Sequence, residues 1–336
     1  MSDLLEPRGE ALATDVQARR PTTHVSLSRV GVTGVEKVVR IRSNGDAQLF
    51  YAELECFVDL PPSQKGAHMS RFEEVVNEAI DEVILGEAFK AETLAAHIAE
   101  RVRDRQDGLR AETTIAARFP EHKRAPESGS PTQEIYTLFG SAVASEGGTR
   151  RLVGVEAQGM TACPCAQEMV IERSEERLRE QGFTDDEVAR VLESVPVATH
   201  NQRGIGTLYV GCPEGCSEAV EASDLLEVVE TAMSSEIYEL MKRQDEVEVV
   251  EKAHMHPRFV EDCVREMVRM GVERFGHFGD KAFLLARQEN LETIHKHNVV
   301  AERHGVMGCL RKELESEDYI PRHVTMRDWL EDTASK

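Results

Sequence analysis

Two thiols flank a single proline in Gly159-Met-Thr-Ala-Cys163-Pro-Cys165-Ala, and a polar cluster, His200-Asn-Gln-Arg203, begins 37 residues after Cys163. Thiolate and imidazole together hold borderline-soft transition metals. Proline stiffens the turn, so the two sulfurs leave it in different directions and one can enter a site while the other points elsewhere. A third cluster, Glu292-Thr-Ile-His295-Lys-His297, offers a carboxylate and an imidazole three residues apart. Such a spacing alone is weak evidence, since surface histidines are common. Beside Cys163 and His200 it becomes a set that could complete a metal site.

Two further carboxylates stand out. A helix is expected over Ser223–Arg243, and Glu236 falls in the middle of its apolar stripe of Leu225, Leu226, Val229, Met233 and Leu240. An unpaired carboxylate buried there would be costly. It needs a metal, a cationic partner or a substrate donor, unless the helix frays and leaves Glu236 half solvated at a subunit contact. Glu251 closes the apolar run Val247-Glu-Val-Val250, read as a strand end. It is either a solvated glutamate or an acceptor of two hydrogen bonds from an amidine-like edge such as that of guanine.

No dinucleotide fingerprint, phosphate-binding glycine loop or serine-hydrolase elbow occurs. A phosphorylated ligand would therefore have to be held by cations. Lys65, His68 and Arg71, in a loop ahead of an expected helix N-terminus with free amides, form the best candidate group. An ordinary capping loop with Ser70 and Glu73 as a capping box is the plainer reading. Cys212-Pro-Glu-Gly-Cys216 either joins Cys163 and Cys165 in a four-thiolate zinc site or forms a local redox pair.

The chain has 336 residues, 40% of them hydrophobic, which allows a large core. Its net charge of −21 argues against binding nucleic acid through phosphate neutralisation. Lysine is scarce, 10 against 30 arginines, and acid is abundant, a pattern suited to high salt. No apolar run reaches the length of a membrane helix and the N-terminus carries no secretory core, so a cytoplasmic enzyme without structural disulfides is expected.

Elements must bring these residues together. Strands are expected at Thr33–Ser43 and Leu49–Asp59, joined by Asn44-Gly45-Asp46. Helices follow from Ser70 and over Ala91–Arg105, then strands near Ala111–Phe119 and Glu134–Ala144. A similar order recurs: strands at Arg151–Ala157 and Gly206–Val210, helices at Ser223–Arg243 and Pro257–Phe275, and a strand at Lys281–Gln288. This recurrence implies two α+β modules in tandem, 25–146 and 147–315, with a flexible leader 1–24, a helical insertion 171–194 and a C-terminal tail 316–336.

The segments Asp59-Leu-Pro-Pro-Ser-Gln-Lys-Gly-Ala-His-Met-Ser-Arg71, Cys163-Pro-Cys165, His200-Asn-Gln-Arg203, Ser235-Glu-Ile-Tyr238 and Glu251-Lys-Ala253 with Pro257-Arg-Phe-Val-Glu-Asp262 resemble the GTP cyclohydrolases of the type IB/type IV group. The resemblance runs from about Val25 to Asn298, and the wording around Cys163, the long insertion and the salt-adapted composition look like the archaeal, iron-dependent branch. It implies the tunnelling fold, an antiparallel sheet with helices on one face, in a homodimer or homotetramer with active sites between subunits. It implies GTP as substrate and 7,8-dihydroneopterin 2′,3′-cyclic phosphate, formate and pyrophosphate as products, where the bacterial branch would leave the triphosphate intact.

Carried onto this chain, the resemblance implies metal ligands at Cys163, His200, Glu236, Glu292 and His295, holding one Fe2+ per subunit, with Zn2+ or Mn2+ as alternatives. It implies proton transfer by His200 or His295, with Cys163 also at the reacting centre. Glu251 would anchor guanine, and Lys65, His68 and Arg71 would hold the triphosphate. Two readings of another class are an NADPH-dependent reductase of the same fold and a non-enzymatic scaffold stabilised by zinc.

Overall fold

Alternating apolar and polar residues make the long strands, and period-3.6 stripes make the helices laid on them. In a computed structural model, residues 15–43, 46–85, 90–213, 220–316, 320–321 and 323–331 are described. The first half of the chain contains β1 (Leu27–Ser43), β2 (Asp46–Leu60), α1 (Met69–Leu85), α2 (Ala91–Gln106), β3 (Arg110–Arg124) and β4 (Pro131–Ser145). The second half begins with β5 (Gly148–Ala162), α3 (Pro164–Glu180), α4 (Asp185–Ser194), β6 (Asn201–Cys212), α5 (Ala222–Thr231) and β7 (Ser235–Glu236). It ends with α6 (Arg243–Met255), α7 (Val260–Phe275), β8 (Phe283–Leu291), β9 (Val299–Val306), α8 (Met307–Ser316) and α9 (Met326–Glu331).

One nine-stranded sheet runs β1-β2-β3-β4-β5-β6-β8-β9, with β7 added beside β5. Each of these pairings is antiparallel. The protein is thus α+β, as expected. No helix among the described residues is long and apolar enough to cross a membrane.

The main core lies between the sheet and α1, α2, α5 and α7. Leu54, Ile115, Val155 and Leu208 from the strands meet Phe72, Leu94, Leu225 and Met267 from the helices. A Leu or Phe so enclosed stabilises the fold by about 1.5–3 kcal/mol. The expectation that helices occupy one face needs a correction. Val143, Leu152 and Phe283 point to the opposite face, where Trp329 and Leu330 of α9 cover them. The Trp329 indole donates to the Lys281 carbonyl at 2.9 Å, which fixes this short helix. Residues expected to form a plain tail therefore include a packed element.

Other boundaries also differ from expectation. The helix expected over Ser223–Arg243 stops at Thr231. There the Ser234 hydroxyl accepts from the Ala162 N–H at 3.1 Å, and Ser235 and Glu236 pair with β5, so the backbone is drawn into the sheet. Glu236 is consequently a strand residue, and Leu240 is exposed. The run Val247–Val250 is helical, not a strand end. Asp245, Val249 and Ala253 bury one face of α6 at intervals of four while Val247 and Val250 face out. Helix α1 starts at Met69, so Ser70 lies inside it rather than capping it. Residues 171–194, expected to be a helical insertion, fall within α3 and α4; α3 itself begins directly after Cys163, and Gln167 and Val188 are the buried residues of the two helices. The turn residues Asn44 and Gly45 lie outside the described residues.

Asp245 ties α6 to the loop between β3 and β4. Its carboxylate accepts from the N–H groups of Glu127, Ser128 and Lys242 at 2.9, 2.7 and 2.8 Å, and from the Ser128 hydroxyl at 2.7 Å. Burial pushes its pKa up, yet those hydrogen bonds outweigh burial and hold it at about 2, below the ordinary 3.8. A depressed carboxyl contributes stability above its unfolded pKa, and that contribution fades as pH falls towards the folded value. Urea unfolding from about pH 5 down to about pH 2.5 should therefore show a steeper loss in the parent than in Asp245→Asn. Parallel curves would refute the role.

Candidate active site

Strand β5 continues to Ala162, beyond the expected end at Ala157, and runs straight into α3. Cys163 is the N-cap residue of that helix and Pro164 stands in its first turn, where a missing N–H costs nothing. The Cys163 side chain therefore leaves the chain at the positive end of a helix dipole. Cys165, inside the first turn, is exposed, so the two sulfurs do occupy different surroundings.

The antiparallel register sets Ala162 opposite Asn201 and Thr161 opposite Gln202. This brings Cys163 beside His200. The Cys163 N–H donates to the His200 carbonyl at 3.1 Å, and the Thr199 hydroxyl donates to the Cys163 carbonyl at 2.8 Å. One strand further on, Arg203 pairs with Leu291. The chain then leaves β8, and the Glu292 carboxylate comes within 3.8 Å of His200 Nδ1. The Glu292 side chain is only 6% exposed, and its Oε2 has no hydrogen-bond partner. At 3.8 Å the imidazole is too far to provide one.

Polar residues line the sheet here in place of apolar ones. Gln288 and Asn290 are buried on β8, with the Gln288 amide donating to Asn290 at 3.0 Å. Gly204 on β6 makes room for them, because a Cβ there would lie 2.3 Å from Gln288 Nε2.

Cys163, His200, Glu292 and His295 line one cleft of about 470 Å³, together with Gln202, Asn290, His297 and Arg258. The rings of His295 and His297 stack 5.2 Å apart and are exposed. Sulfur, imidazole and carboxylate on one cleft are the donors that Fe2+ or Zn2+ takes. A buried carboxylate oxygen without a partner is the feature a cation would satisfy. The residues therefore fit a metal in kind. As they stand, no three His, Cys, Asp or Glu side chains among the described residues are gathered into a ligating group.

Other expected site residues lie elsewhere in this chain. Glu236 is ion-paired with Lys252 and lines a separate cleft of about 200 Å³ with Lys123 and Glu230. Burial, then the charge of Glu236, pushes the neighbouring Tyr238 up to about 12. Glu251 is on the exposed side of α6.

The loop carrying Lys65, His68 and Arg71 is already engaged. The Lys65 N–H donates to the carbonyls of Gln17 and Arg19, and the Gly66 N–H to that of Gln17. His68 faces Asp15 at 3.2 Å, and Arg71 donates to the Arg105 carbonyl at 3.0 Å. Residues 17 and 19 thus take the Lys65 and Gly66 amides, ahead of the first turn of α1. Cys212 is disulfide-bonded, which removes one thiolate from a four-cysteine zinc site. Cys216 lies outside the described residues.

A family model described as type I GTP cyclohydrolase folE2 matches residues 13–301. The chain belongs to the GTP cyclohydrolase family. The GTP cyclohydrolase MptA of Methanocaldococcus jannaschii is 42% identical over 308 residues, covering 90% of this chain and 98% of that protein. Those of Methanococcus aeolicus and Methanosarcina mazei are 40% and 38% identical, covering 90% and 89% of this chain and 99% and 96% of theirs. Among solved structures, uricase from Arthrobacter globiformis overlies 82% of this chain and 92% of its own at a TM-score of 0.48 and 9% identity, too loose a likeness to argue from.

In this cyclohydrolase the cleft contains residues to which sequence reasoning gave no role. Arg258 is held by its N–H donating to the Ala162 carbonyl at 3.0 Å and by Nη1 donating to the Thr231 carbonyl at 2.9 Å. Asn290 could have been found by extending the period-2 pattern of β8. Gln202 sat within a recognised motif, but only the strand register gives it its neighbours.

Proposed function

We propose that this protein converts GTP and water to 7,8-dihydroneopterin 2′,3′-cyclic phosphate, formate and pyrophosphate, as the first step of a pterin biosynthesis. The observation that carries this reading is identity of 38–42% to archaeal GTP cyclohydrolases over nearly their whole length, joined to a cleft with matching donors. Cys163, His200, Glu292 and His295 would hold the metal, with Fe2+ preferred and Zn2+ or Mn2+ as alternatives. When bound, it would supply Lewis acidity and a readily deprotonated water for attack at C8 of guanine.

The protein's own groups do the rest. His200 and His295 face the cleft, and one of them, whichever keeps a ring nitrogen free of the metal, would move protons as the imidazole ring of guanine opens and formate leaves. Arg258 brings a fixed positive charge to the same space. For the final step, the side-chain 2′-hydroxyl attacks the innermost phosphorus. A P–O bond forms as the hydroxyl gives up its proton to solvent, the bond to the second phosphate breaks, and pyrophosphate departs with the electron pair.

The fold is read as two tunnelling-fold modules, 25–146 and 147–315, in a homodimer or homotetramer with active sites between subunits. Two observations support this. Glu236, Glu251, Lys65, His68 and Arg71 are not among the residues lining the Cys163 cleft, and among the described residues β1 and β9 each end the sheet with one neighbour. A second subunit would bring guanine-anchoring and phosphate-holding groups to the cleft.

Anaerobic reactions of GTP with the Fe2+-loaded protein should release formate and pyrophosphate in equal amounts, and phosphorus NMR should show a five-membered cyclic phosphate. A pterin that keeps all three phosphates would refute the product assignment. Mixing Cys163→Ala with Glu251→Gln subunits should restore part of the activity that each lacks. No restoration after subunit exchange would refute shared sites.

A further inference from the structure

We infer that Gln202 is a positioning residue that fixes the tautomer of His200, placing the hydrogen on Nδ1 and leaving Nε2 as the nitrogen with a lone pair. Free imidazole side chains favour the hydrogen on Nε2, so a site that needs Nε2 open must override that preference. His200 Nδ1 lies 3.1 Å from Gln202 Oε1. A carboxamide oxygen at that distance accepts a hydrogen bond, which requires the hydrogen on Nδ1.

The Gln202 amide is itself constrained. It is buried on β6, and its Nε2 lies 3.1 Å from the hydroxyl of Thr161, which is wholly buried on the paired strand. A hydroxyl can donate or accept, so Thr161 alone permits either face of the amide. Glu292 decides between them. Its Oε2, buried and without a hydrogen-bond partner, stands 3.8 Å from the same Nδ1. A carboxylate there attracts an N–H and repels a ring lone pair. The favourable arrangement has Nδ1–H donated to Oε1 of Gln202, with the Glu292 carboxylate attracting it from beyond hydrogen-bond distance and the Gln202 NH2 facing Thr161.

The backbone holds this line in place. Thr161 and Gln202 are direct partners in the β5–β6 ladder, and the His200 carbonyl is tied to the Cys163 N–H. Nε2 is then the nitrogen able to accept a proton or hold a metal, as second-layer hydrogen bonds commonly arrange at such histidines.

This inference rests on the cleft being the working site, but its test does not use turnover. Metal-free protein labelled with nitrogen-15 histidine reports tautomers directly through long-range couplings between ring nitrogens and carbon-bound hydrogens. The His200 signals are identified by their loss in His200→Gln. The parent should show Nδ1–H. Gln202→Met, which keeps the volume and removes the acceptor, should shift His200 towards Nε2–H. Gln202→Glu, which restores an acceptor oxygen, should return it to Nδ1–H.

An Nε2–H tautomer in the parent overturns the inference, even if the variants fail to fold. An unchanged tautomer in a folded Gln202→Met also overturns it, and assigns the control to Glu292 alone. If GTP turnover were absent while the tautomer pattern held, the functional reading would fail and the positioning role would stand.

Discussion

Cys163→Ala should abolish both metal retention and GTP turnover, while Cys165→Ala should keep most of each. Cys163 caps α3 at the edge of the cleft, and its backbone is bonded to His200. Cys165, inside the first turn of the helix, is exposed and is not among the cleft's lining residues. Losing groups that merely orient metal ligands typically costs about 10–100-fold, so losing a ligand should cost more than about 100-fold. Bound metal per subunit and anaerobic GTP turnover check the pair. Equal losses in the two variants would sink the distinction. Because Cys163 is a small, only partly buried side chain, its replacement should leave the melting temperature of the metal-free protein nearly unchanged. That control separates a site defect from unfolding.

Glu292→Gln should move stability and function in opposite directions. The Glu292 carboxylate is almost wholly buried, and one of its oxygens has no hydrogen-bond partner. A buried acceptor left unsatisfied costs about 1–3 kcal/mol, and more when charged. An amide of the same shape removes the charge and can donate as well as accept. The metal-free variant should therefore unfold at higher denaturant, by about 1 kcal/mol. The same change removes an anionic donor, so metal binding and turnover should fall by more than about 100-fold. A variant that is both less stable and still metal-loaded would show that Glu292 is satisfied in some other way. The opposed signs are expected of a site whose donors cost stability while no cation is bound.

Local patterns in the sequence determined a good deal here. The alternation along Phe50–Val58 gave β2 its buried face, and the stripe Val260, Val264, Met267, Val268, Gly271 and Val272 gave α7 its seat on the sheet. Both depend on side chains within a few residues of one another, so a periodicity suffices to read them. The types of Cys163, His200 and the Glu292–His297 cluster pointed to metal chemistry, and the Asp59–Arg71, Cys163–Cys165, His200–Arg203, Ser235–Tyr238 and Glu251–Asp262 segments carried the family resemblance.

Tertiary structure decided which donors meet. Cys163, His200 and Glu292 share a cleft because β5, β6 and β8 pair in one register, setting Ala162 opposite Asn201 and Arg203 opposite Leu291. A shift of one residue in either pairing would turn the following side chains to the other face. No local periodicity encodes that register. Glu236 shows the converse. Its place on an apolar stripe was real as a pattern, but the pairing of Ser235 and Glu236 with β5 ended the helix at Thr231 and carried the carboxylate to Lys252. Likewise Val247–Val250 suits strand or helix equally by composition, and the fit of Asp245, Val249 and Ala253 against the body made it α6. The loop of Lys65, His68 and Arg71 looked open because Gln17 and Arg19, whose carbonyls take the Lys65 and Gly66 amides, are distant in sequence. Residue types told what this protein can do; strand register and long-range hydrogen bonds, which act between residues far apart in the chain, determined where it can do it.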